Sequence, residues 1–301
     1  MRRVHVFVTG ASGLIGRALV PALLEAGHAV TALSRKASAG TSPAGATVVQ
    51  GDPTRPGPWQ EALARCDACV HLAGEPVAAG RWTEDRKRAI RESRVESTRL
   101  VAEVIAKGGP RVLVSGSAVG YYGPRGDEEL GEDAPPGDDF LARVCVAWEA
   151  ATAPAAAAGA RVVSLRTGIV LARHGGALAQ MLLPFRFFAG GPIGKGEFWQ
   201  SWIHLADEVG LIGWALANGA VSGPLNATAP RPVRNRELAK AIGKVLHRPS
   251  VVPVPRRALE LALGELAGVV ASGQRVVPRK ALGGGYRFRF PEVEAALREL
   301  L

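Results

Sequence analysis

Apolar positions in the first two-thirds of the chain follow two alternating patterns, short β-branched runs and longer stretches with helical spacing. The short runs predict strands at residues 4–9, 29–34, 47–50, 68–72, 111–115 and 161–165. The longer stretches predict helices at residues 14–26, 59–64, 84–106 and 140–158. Strands that alternate with helices pair in parallel, so the pattern predicts the α/β class with a doubly wound parallel sheet.

The pattern changes after about residue 168, where glycine and proline interrupt the chain more often. Helical spacing returns at residues 177–188, 207–218, 235–246, 257–270 and 291–301. We therefore expect residues 1–168 to form the doubly wound domain, whose sheet can also recruit later strands. Residues 169–301 are expected to form a smaller α+β substrate-side domain that is mostly helical. Residues 123–139 are polar and rich in glycine and proline, and we expect a loop long enough to act as a flap.

Composition and charge argue against several classes of protein. The net charge is +10, but the basic residues are scattered and not interleaved with aromatic residues, so no nucleic-acid partner is expected. No apolar run reaches the roughly 18 residues that cross a bilayer, so we expect a cytoplasmic protein with no membrane partner. Cys66 and Cys69 form a C-x-x-C, but no second cysteine or histidine pair completes a metal site. We expect Cys69 to be a core residue and no metal to be bound.

One glycine-rich loop stands where a dinucleotide site needs it. Gly10, Gly13 and Gly16 follow the first predicted strand and open the first predicted helix, the context that gives a glycine triplet its meaning. Gly10 permits a tight turn, Gly13 lets the backbone approach a pyrophosphate, and Gly16 allows close packing of helix and strand. Phosphate charge then faces the helix N-terminus. The whole loop is therefore assigned to cofactor binding, including Ser12, Leu14 and Ile15.

The end of the second predicted strand distinguishes NADP(H) from NAD(H). NAD sites usually place an acidic side chain there, about 20 residues after the glycines, to bind the ribose diol. This chain has Ser34, Arg35 and Lys36 instead. A guanidinium and a hydroxyl suit a 2′-phosphate, and no carboxylate repels it. We therefore expect NADP(H) as the cofactor; the alternative is a solvated basic turn.

Small residues follow the later strands, at residues 71–75, 115–118 and 165–168. In a doubly wound sheet the nucleotide crosses the carboxyl ends of the strands. These three segments are therefore expected to meet ribose, nicotinamide and substrate.

Together these motifs resemble the extended short-chain dehydrogenase/reductase superfamily, with its G-x-x-G-x-x-G loop, an NAG-like motif at Leu72, Ala73 and Gly74, and a serine-rich end of the fifth strand. The chain is more closely similar to an atypical, sugar-nucleotide-epimerase-like (YfcH-type) branch. The phrases that carry this likeness are residues 30–36, 71–76, 81–82, 93–94, 117–123, 148–149, 182–185, 190–196, 201–204 and 286–301. The resemblance implies a Rossmann-like domain that binds NADP(H), together with a family-specific C-terminal segment. The residues it implies for the cofactor are Ser34, Arg35, Leu72, Ala73 and Arg94.

The chain departs from this superfamily at the catalytic helix. Ordinary members use a serine or threonine together with a tyrosine four residues before a lysine, and the lysine lowers the pKa of the tyrosine. Alignment on Glu149 places Leu141 and Cys145 where that tyrosine and lysine would stand. Tyrosine–lysine catalysis is therefore not expected.

Four side chains are candidates for the catalytic role. Ser117 matches the superfamily's catalytic serine, and Tyr121 and Tyr122 lie near enough in sequence to bring a phenol to the site. The alternative is that both tyrosines form a packed turn. Glu75 follows the NAG-like motif and is the best-placed carboxylate for acid or base chemistry. Its alternatives are a helix cap or an ion pair with Arg81.

Four further residues could have either a functional role or an ordinary structural one. Arg94 either reaches a cofactor phosphate or is a solvated helix arginine. His204 and Asp207 lie in a segment that is mostly structural in extended members of the superfamily. Lys195 lies in a glycine-rich loop that lacks the residue order of a phosphate-binding P-loop, and it is either available to an anionic substrate or an ordinary loop lysine.

The sequence therefore supports an NADP(H)-dependent oxidoreductase or epimerase that acts on a small substrate, either free or nucleotide-linked. In this hypothesis Ser117, with a nearby phenol or water, handles the proton. The missing tyrosine and lysine support a second hypothesis, a non-catalytic NADP(H)-binding or redox-sensing protein. The protein is expected to be a monomer or a homodimer.

Overall fold

The computed structural model describes residues 3–36 and 45–301. The strands in this part of the chain are β1 (His5–Thr9), β2 (Ala29–Ser34), β3 (Thr47–Gln50), β4 (Ala68–His71), β5 (Val112–Ala118), β6 (Glu129–Leu130), β7 (Arg161–Thr167), β8 (Ile169–Leu171), β9 (Trp199–Gln200), β10 (Trp202–His204), β11 (Gly223–Ala227), β12 (Val233–Arg234) and β13 (Arg275–Val276). The helices are α1 (Leu14–Glu25), α2 (Trp59–Ala64), α3 (Glu84–Ala106), α4 (Phe140–Ala150), α5 (Ala153–Ala157), α6 (Gly176–Arg186), α7 (Leu205–Ala217), α8 (Asn235–Leu246), α9 (Arg256–Leu263), α10 (Leu266–Val270), α11 (Arg279–Gly283) and α12 (Val293–Leu300).

Seven parallel strands form the central sheet, in the order β11-β7-β5-β4-β1-β2-β3. The middle of β1 is buried on both faces, as in a parallel strand covered by helices on each side. Val6 and Val8 face the apolar cluster that contains Leu19 and Leu211, whereas Phe7 faces the cluster that contains Trp59. The expectation of a doubly wound, Rossmann-like sheet is confirmed.

Two predicted helices are each divided in the structure. Residues 140–158 form α4 and α5, and Pro154 stands in the first turn of α5, where its missing N–H costs no helical hydrogen bond. Residues 257–270 fall into α9 and α10 around Gly264, whose φ of 61° ends the first of them. Apolar spacing continued across both breaks, so the pattern predicted one helix where there are two.

Several short strands lie outside the predicted set. β8 pairs with β10, β9 with β12 and β6 with β13, and each has only two or three residues, too few for a periodic pattern. β11 follows residue 168 and joins the edge of the central sheet beside β7. The segment 123–139 is not a free flap, because β6 lies within it and pairs with β13, with Leu130 buried against Val276.

The C-terminal segment is tied to the start of α7. The Asp207 carboxylate accepts the backbone N–H groups of Arg289 at 2.7 Å and Phe290 at 2.9 Å. His204 Nδ1 accepts the N–H of Ala206 at 3.0 Å, which leaves Nε2 to donate to Glu299 at 3.0 Å. Both side chains therefore have structural roles. Among the described residues, no helix is both long and apolar enough to cross a membrane.

Candidate functional site

The glycine loop turns tightly from β1 into α1. Gly10 has a φ of 68°, and a Cβ there would lie 2.7 Å from the Leu72 carbonyl carbon, so only glycine fits. A Cβ on Gly16 would lie 2.3 Å from the Gly10 carbonyl oxygen. Gly13 is the N-cap of α1 and provides no side-chain cap, and the first turn of this helix has no acidic residue. The backbone N–H groups of that turn are thus suited to phosphate oxygens.

The basic residues after β2 form a turn at the surface. Ser34 Oγ donates to the Lys36 carbonyl oxygen at 2.6 Å and accepts the Lys36 N–H at 3.2 Å, so this hydroxyl shapes the turn. The Arg35 side chain is 72% exposed. The guanidinium is therefore accessible to an anion that lies beside the strand end.

Glu75 lies between two arginines. Its carboxylate oxygens are 3.7 Å from Arg35 and 3.3 Å from Arg86, and its backbone N–H donates to Ser93 Oγ at 3.0 Å. Arg81 instead donates to backbone carbonyl oxygens at the end of α9, so the suggested Glu75–Arg81 ion pair is wrong. Glu75 is not among the residues that line the cavity described below. Its contacts favour a role in holding the loop after β4.

The backbone of Leu72 and Ala73 is fixed by a buried chain of hydrogen bonds. Thr9 Oγ1 accepts the N–H groups of Leu72 at 3.1 Å and Ala73 at 3.2 Å, so its own hydrogen goes to His71 Nδ1 at 2.7 Å. His71 Nε2 then donates to Ser97 Oγ at 3.0 Å. Burial lowers the pKa of His71 to about 4, in keeping with a neutral ring. The segment expected to meet the cofactor is therefore held rigidly.

Arg94 projects from α3 towards the loop after β4. Its guanidinium carbon lies 5.1 Å from the centre of the Trp148 ring, and one nitrogen donates to the Ile90 carbonyl oxygen at 2.9 Å. A Cβ on Gly74 would lie 3.2 Å from the same guanidinium carbon. Burial lowers the pKa of Arg94, which forms no ion pair with a described residue. A partly buried cation without a carboxylate partner favours an anionic ligand over a solvated helix arginine.

Ser117, Glu149 and Arg166 form a connected set at the ends of β5 and β7. Ser117 Oγ donates to Glu149 Oε1 at 2.7 Å. Arg166 is 3% exposed and holds the same carboxylate through two nitrogens. Burial alone would lower the pKa of Arg166, but the hydrogen bonds and the charge of Glu149 outweigh it and raise that pKa. The carboxylate is therefore held in position to accept the serine proton.

Tyr121 and Tyr122 lie beside this set, in a 3₁₀ turn after β5. The Arg166 guanidinium carbon is 3.4 Å from the centre of the Tyr121 ring. Tyr122 is fully buried, and its hydroxyl accepts from Arg166 at 2.9 Å and donates to Asn226 Oδ1 at 2.7 Å. Burial raises the pKa of Tyr122 to about 12. These contacts favour the packed turn over a proton donor.

A cavity of about 280 Å³ lies beside Ser117. Leu141 and Cys145 form part of its wall, so the two positions of the missing tyrosine and lysine face the site. Burial raises the pKa of Cys145 to about 12, which keeps the thiol protonated near neutral pH. Gly116 allows the Trp148 ring to pack closely against β5, because a Cβ there would lie 2.9 Å from that ring. The described lining residues thus provide the serine hydroxyl but neither a tyrosine nor a lysine.

The far wall of the cavity comes from the C-terminal half of the chain. Gln200, Ser201 and Gln274 line it. Gln274 Nε2 donates to the Val119 carbonyl oxygen at 2.6 Å. Ser201 Oγ donates to the Gln274 carbonyl oxygen at 2.7 Å and accepts the Val276 N–H at 2.9 Å. The two halves of the chain therefore close the cavity together.

Three other candidates lie outside the cavity wall. Lys195 is exposed and does not line the cavity. Cys66 and Cys69 are buried free thiols in the core cluster around Phe7, and burial raises the pKa of both. In the described ranges, no group of three or more histidine, cysteine or acidic side chains is arranged to hold a metal ion.

The sequence marks Ser117 as a candidate, but it does not show which side chains lie around it. Arg166 carries one signal in the sequence, because a charged residue directly after the apolar run of a buried strand needs a partner if it is buried too. Glu149 is that partner; the resemblance marked residues 148–149, but not the contact of Glu149 with Ser117 and Arg166. Gln200 and Gln274 carry no local signal, because only tertiary packing brings them to the same cavity.

Comparison with known proteins identifies the family. The model of the NAD dependent epimerase/dehydratase family matches residues 6–227. The chain belongs to this family. A second model, a domain of unknown function (DUF1731), matches residues 254–300, which include the segment bound by Asp207. Together the two matches cover the doubly wound sheet and the C-terminal region.

Members of this epimerase family with similar sequences include an SDR39U1 homolog from Arabidopsis thaliana, 43% identical over 99% of this chain and 87% of the relative. Another is YfhF from Bacillus subtilis, 40% identical over 99% of this chain and 98% of the relative. The crystal structure of human SDR39U1 (isoform 2) with NADPH has a TM-score of 0.87 and 37% identity, with 98% of both chains covered. The resemblance to the epimerase-like branch of the extended superfamily is confirmed.

Solved structures with lower sequence identity share the fold. MoeE5, solved with UDP-glucuronic acid and NAD, is 21% identical with a TM-score of 0.80, covering 98% of each chain. At this identity the likeness concerns the fold alone.

Proposed function

We propose that this protein is an NADP(H)-dependent oxidoreductase in which Ser117 and Glu149 carry the proton of a carbonyl–hydroxyl interconversion. The observation that carries the proposal is the 2.7 Å hydrogen bond from Ser117 Oγ to Glu149 Oε1, at the wall of the cavity. We further expect a cytoplasmic monomer or homodimer that acts on a small molecule.

The residues around the glycine loop fit NADP(H). In our proposal the first turn of α1, with Gly10, Ser12, Gly13, Leu14, Ile15 and Gly16, receives the pyrophosphate. The turn of Ser34, Arg35 and Lys36 receives the 2′-phosphate, since Arg35 is exposed there and its guanidinium suits that group. Leu72, Ala73 and Gly74 contact the nucleotide through a fixed backbone, and Arg94 supplies a further positive charge. The NADPH in the structure of human SDR39U1 supports this choice.

The proton path follows from the hydrogen-bond directions. Ser117 gives its hydrogen to Glu149, so the lone pairs of Oγ are left to accept the hydrogen of a substrate hydroxyl. In oxidation the substrate proton passes to Ser117 while the serine proton passes to Glu149. In reduction the path is reversed, and Glu149 regains its proton from solvent, to which its side chain is 16% exposed. When bound, the cofactor supplies the two-electron exchange with the substrate carbon.

The other candidates take supporting roles in this proposal. Arg166 holds Glu149, and Tyr121 and Tyr122 pack against Arg166. Glu75 holds the loop after β4 near Arg35. The path therefore replaces the missing tyrosine and lysine with a serine and a carboxylate.

The proposal is tested by following NADPH absorbance with a panel of small aldehydes and ketones. Wild-type protein should consume NADPH and bind it more tightly than NADH. Ser117→Ala should lower kcat by about 100-fold, the lower range for loss of general acid–base catalysis, and leave the Kd for NADPH unchanged. Ser222→Ala is the matched control, because Ser222 is exposed and does not line the cavity.

Two results would contradict the proposal. NADPH binding without consumption for any carbonyl compound would support the non-catalytic NADP(H)-binding hypothesis. Equal rates for wild type and Ser117→Ala would remove the serine from the proton path.

A further inference from the structure

Gln200 is buried in the cavity wall with half of its amide unused. Asn235 Oδ1 accepts the backbone N–H of Ile193 at 2.8 Å, and because a backbone N–H only donates, this contact fixes the orientation of the Asn235 amide. Asn235 Nδ2 therefore donates to Gln200 Oε1, at 3.4 Å. Gln200 Nε2 is left without a hydrogen-bond partner in the part of the chain that the structure describes. The residue is 5% exposed and lines the cavity.

Gln274 presents the complementary group. Its Nε2 donates to the Val119 carbonyl oxygen at 2.6 Å, which only accepts, so the orientation of this amide is fixed as well. Gln274 Oε1 then has no partner within residues 3–36 and 45–301. Ser201, which follows Gln200, binds the Gln274 backbone at 2.7 Å and keeps the two segments adjacent. The wall thus presents one neutral donor and one neutral acceptor.

The size of the cavity is set by packing. Its volume of about 280 Å³ is near the lower end of the roughly 300–1,000 Å³ found for small-molecule sites, which suits a compact substrate. A Cβ on Gly273 would lie 1.9 Å from the Trp199 carbonyl oxygen, so the two wall segments are in direct backbone contact. β13 begins directly after Gln274 and is paired with β6. These contacts fix this side of the cavity.

The charge of the wall is also limited. Arg94 is the one cationic side chain among the described lining residues, and our proposed function uses it for the cofactor. Much of the remaining surface is apolar, for example at Leu141, Val144 and Ile169. A nucleoside diphosphate needs several charged or backbone donors for its phosphates. Apart from Arg94, the described lining side chains provide no charged donor.

We propose that the substrate is a compact, uncharged carbonyl compound or alcohol with a second neutral oxygen, recognised by Gln200 Nε2 and Gln274 Oε1, and not a nucleotide-linked sugar. The inference rests on the proposed function, because the reacting carbonyl or hydroxyl group lies at Ser117. The second oxygen accepts from Gln200 Nε2, and where it is a hydroxyl group it also donates to Gln274 Oε1.

The test uses binding to the NADP⁺-loaded protein, measured by calorimetry, with two ketones of similar size. 2-Methoxycyclohexanone has a second oxygen where 2-ethylcyclohexanone has a methylene group. Wild-type protein should bind the methoxy compound about fivefold more tightly, as expected for one net hydrogen bond. UDP-glucose should not bind at concentrations that saturate the site with the ketone.

Gln200→Glu is the decisive variant. It keeps the acceptor for Asn235 and the length of the side chain, and it replaces the free donor by an oxygen. The preference for the methoxy compound should fall to about onefold, while the Kd for 2-ethylcyclohexanone changes by less than about twofold. Gln200→Met, which carries no charge and no donor, should give the same loss. Gln60→Glu, outside the cavity wall, is the matched control and should keep the preference.

The outcomes separate this inference from the proposed function. UDP-glucose binding as tightly as the ketones, absence of binding by both ketones, or an unchanged preference in both Gln200 variants would overturn the inference. Turnover of UDP-glucose alone would overturn it and leave the oxidoreductase in place. Ketone binding with the expected preference, but without NADPH consumption for any carbonyl compound, would support the recognition and contradict the oxidoreductase.

Discussion

Arg166 holds both oxygens of the Glu149 carboxylate, with Nε 2.8 Å from Oε1 and a terminal nitrogen 2.9 Å from Oε2. The pair joins β7 to α4, and Ser117 donates to it from β5. Because Arg166 is 3% exposed, solvent cannot replace the carboxylate if it is lost. The same contact therefore contributes to stability and positions the proposed proton acceptor.

Glu149→Gln should lower the free energy of unfolding by about 3 kcal/mol, because it leaves the buried charge of Arg166 without a carboxylate. Urea denaturation followed by circular dichroism measures the change. Glu96→Gln removes a carboxylate from Arg99 in a pair whose side chains are 46% and 44% exposed, and should change stability by no more than about 0.5 kcal/mol. Similar losses in both variants would mean that burial does not strengthen the Glu149 pair.

Gly16→Ala should destabilise the protein by about 2 kcal/mol and weaken NADPH binding, because the added Cβ overlaps the Gly10 carbonyl oxygen and displaces the loop. Gly213→Ala is the matched control in α7, where a Cβ would have no neighbour within 4 Å. It should raise stability by about 0.5–1 kcal/mol through helix propensity. Thermal unfolding and NADPH titration check both variants. An alanine at position 16 that leaves both measurements unchanged would contradict the close packing of loop and helix.

The buried carboxyl group of Glu208 should make the free energy of unfolding depend on pH. Burial raises its pKa from 4.5 to about 8, with one oxygen bound to Thr167 at 2.8 Å and the other without a partner in the described structure. Between these pH values the unfolded chain has lost the proton and the folded chain retains it. Stability from this group therefore falls as pH rises, by about 1.4 kcal/mol per unit.

Glu208→Gln should remove this contribution, because an amide does not titrate and its oxygen can still accept from Thr167. The free energy of unfolding of the variant, relative to wild type, should increase by roughly 3 kcal/mol from about pH 5 to about pH 7.5. Urea denaturation across this range measures it. Glu260→Gln on the exposed side of α9 should show no such slope. Parallel curves for wild type and Glu208→Gln would mean that Glu208 is ionised in the folded protein.

The local elements and the loop of the site were predictable from sequence because their signals are local. The strands at 29–34 and 47–50 and the helices at 59–64, 84–106 and 235–246 have the predicted bounds. The glycine loop stands between β1 and α1 as expected. The departures of Leu141 and Cys145 also followed from spacing along one helix, and both side chains face the cavity. The spacing of apolar residues and glycines can be read within a few residues of each position, so these features do not depend on the rest of the chain.

Tertiary structure alone decided what surrounds Ser117. Glu149 and Arg166 come from different elements, and Gln200 and Gln274 line the same cavity although they lie far apart in sequence. The pairing of Asp207 with the backbone of residues 289–290 is of the same kind. Such contacts depend on how distant segments pack and on which buried polar groups then find partners. The sequence by itself determined the glycine loop and the loss of the tyrosine–lysine pair, and only the fold decided that Glu149 and Arg166 lie together beside Ser117.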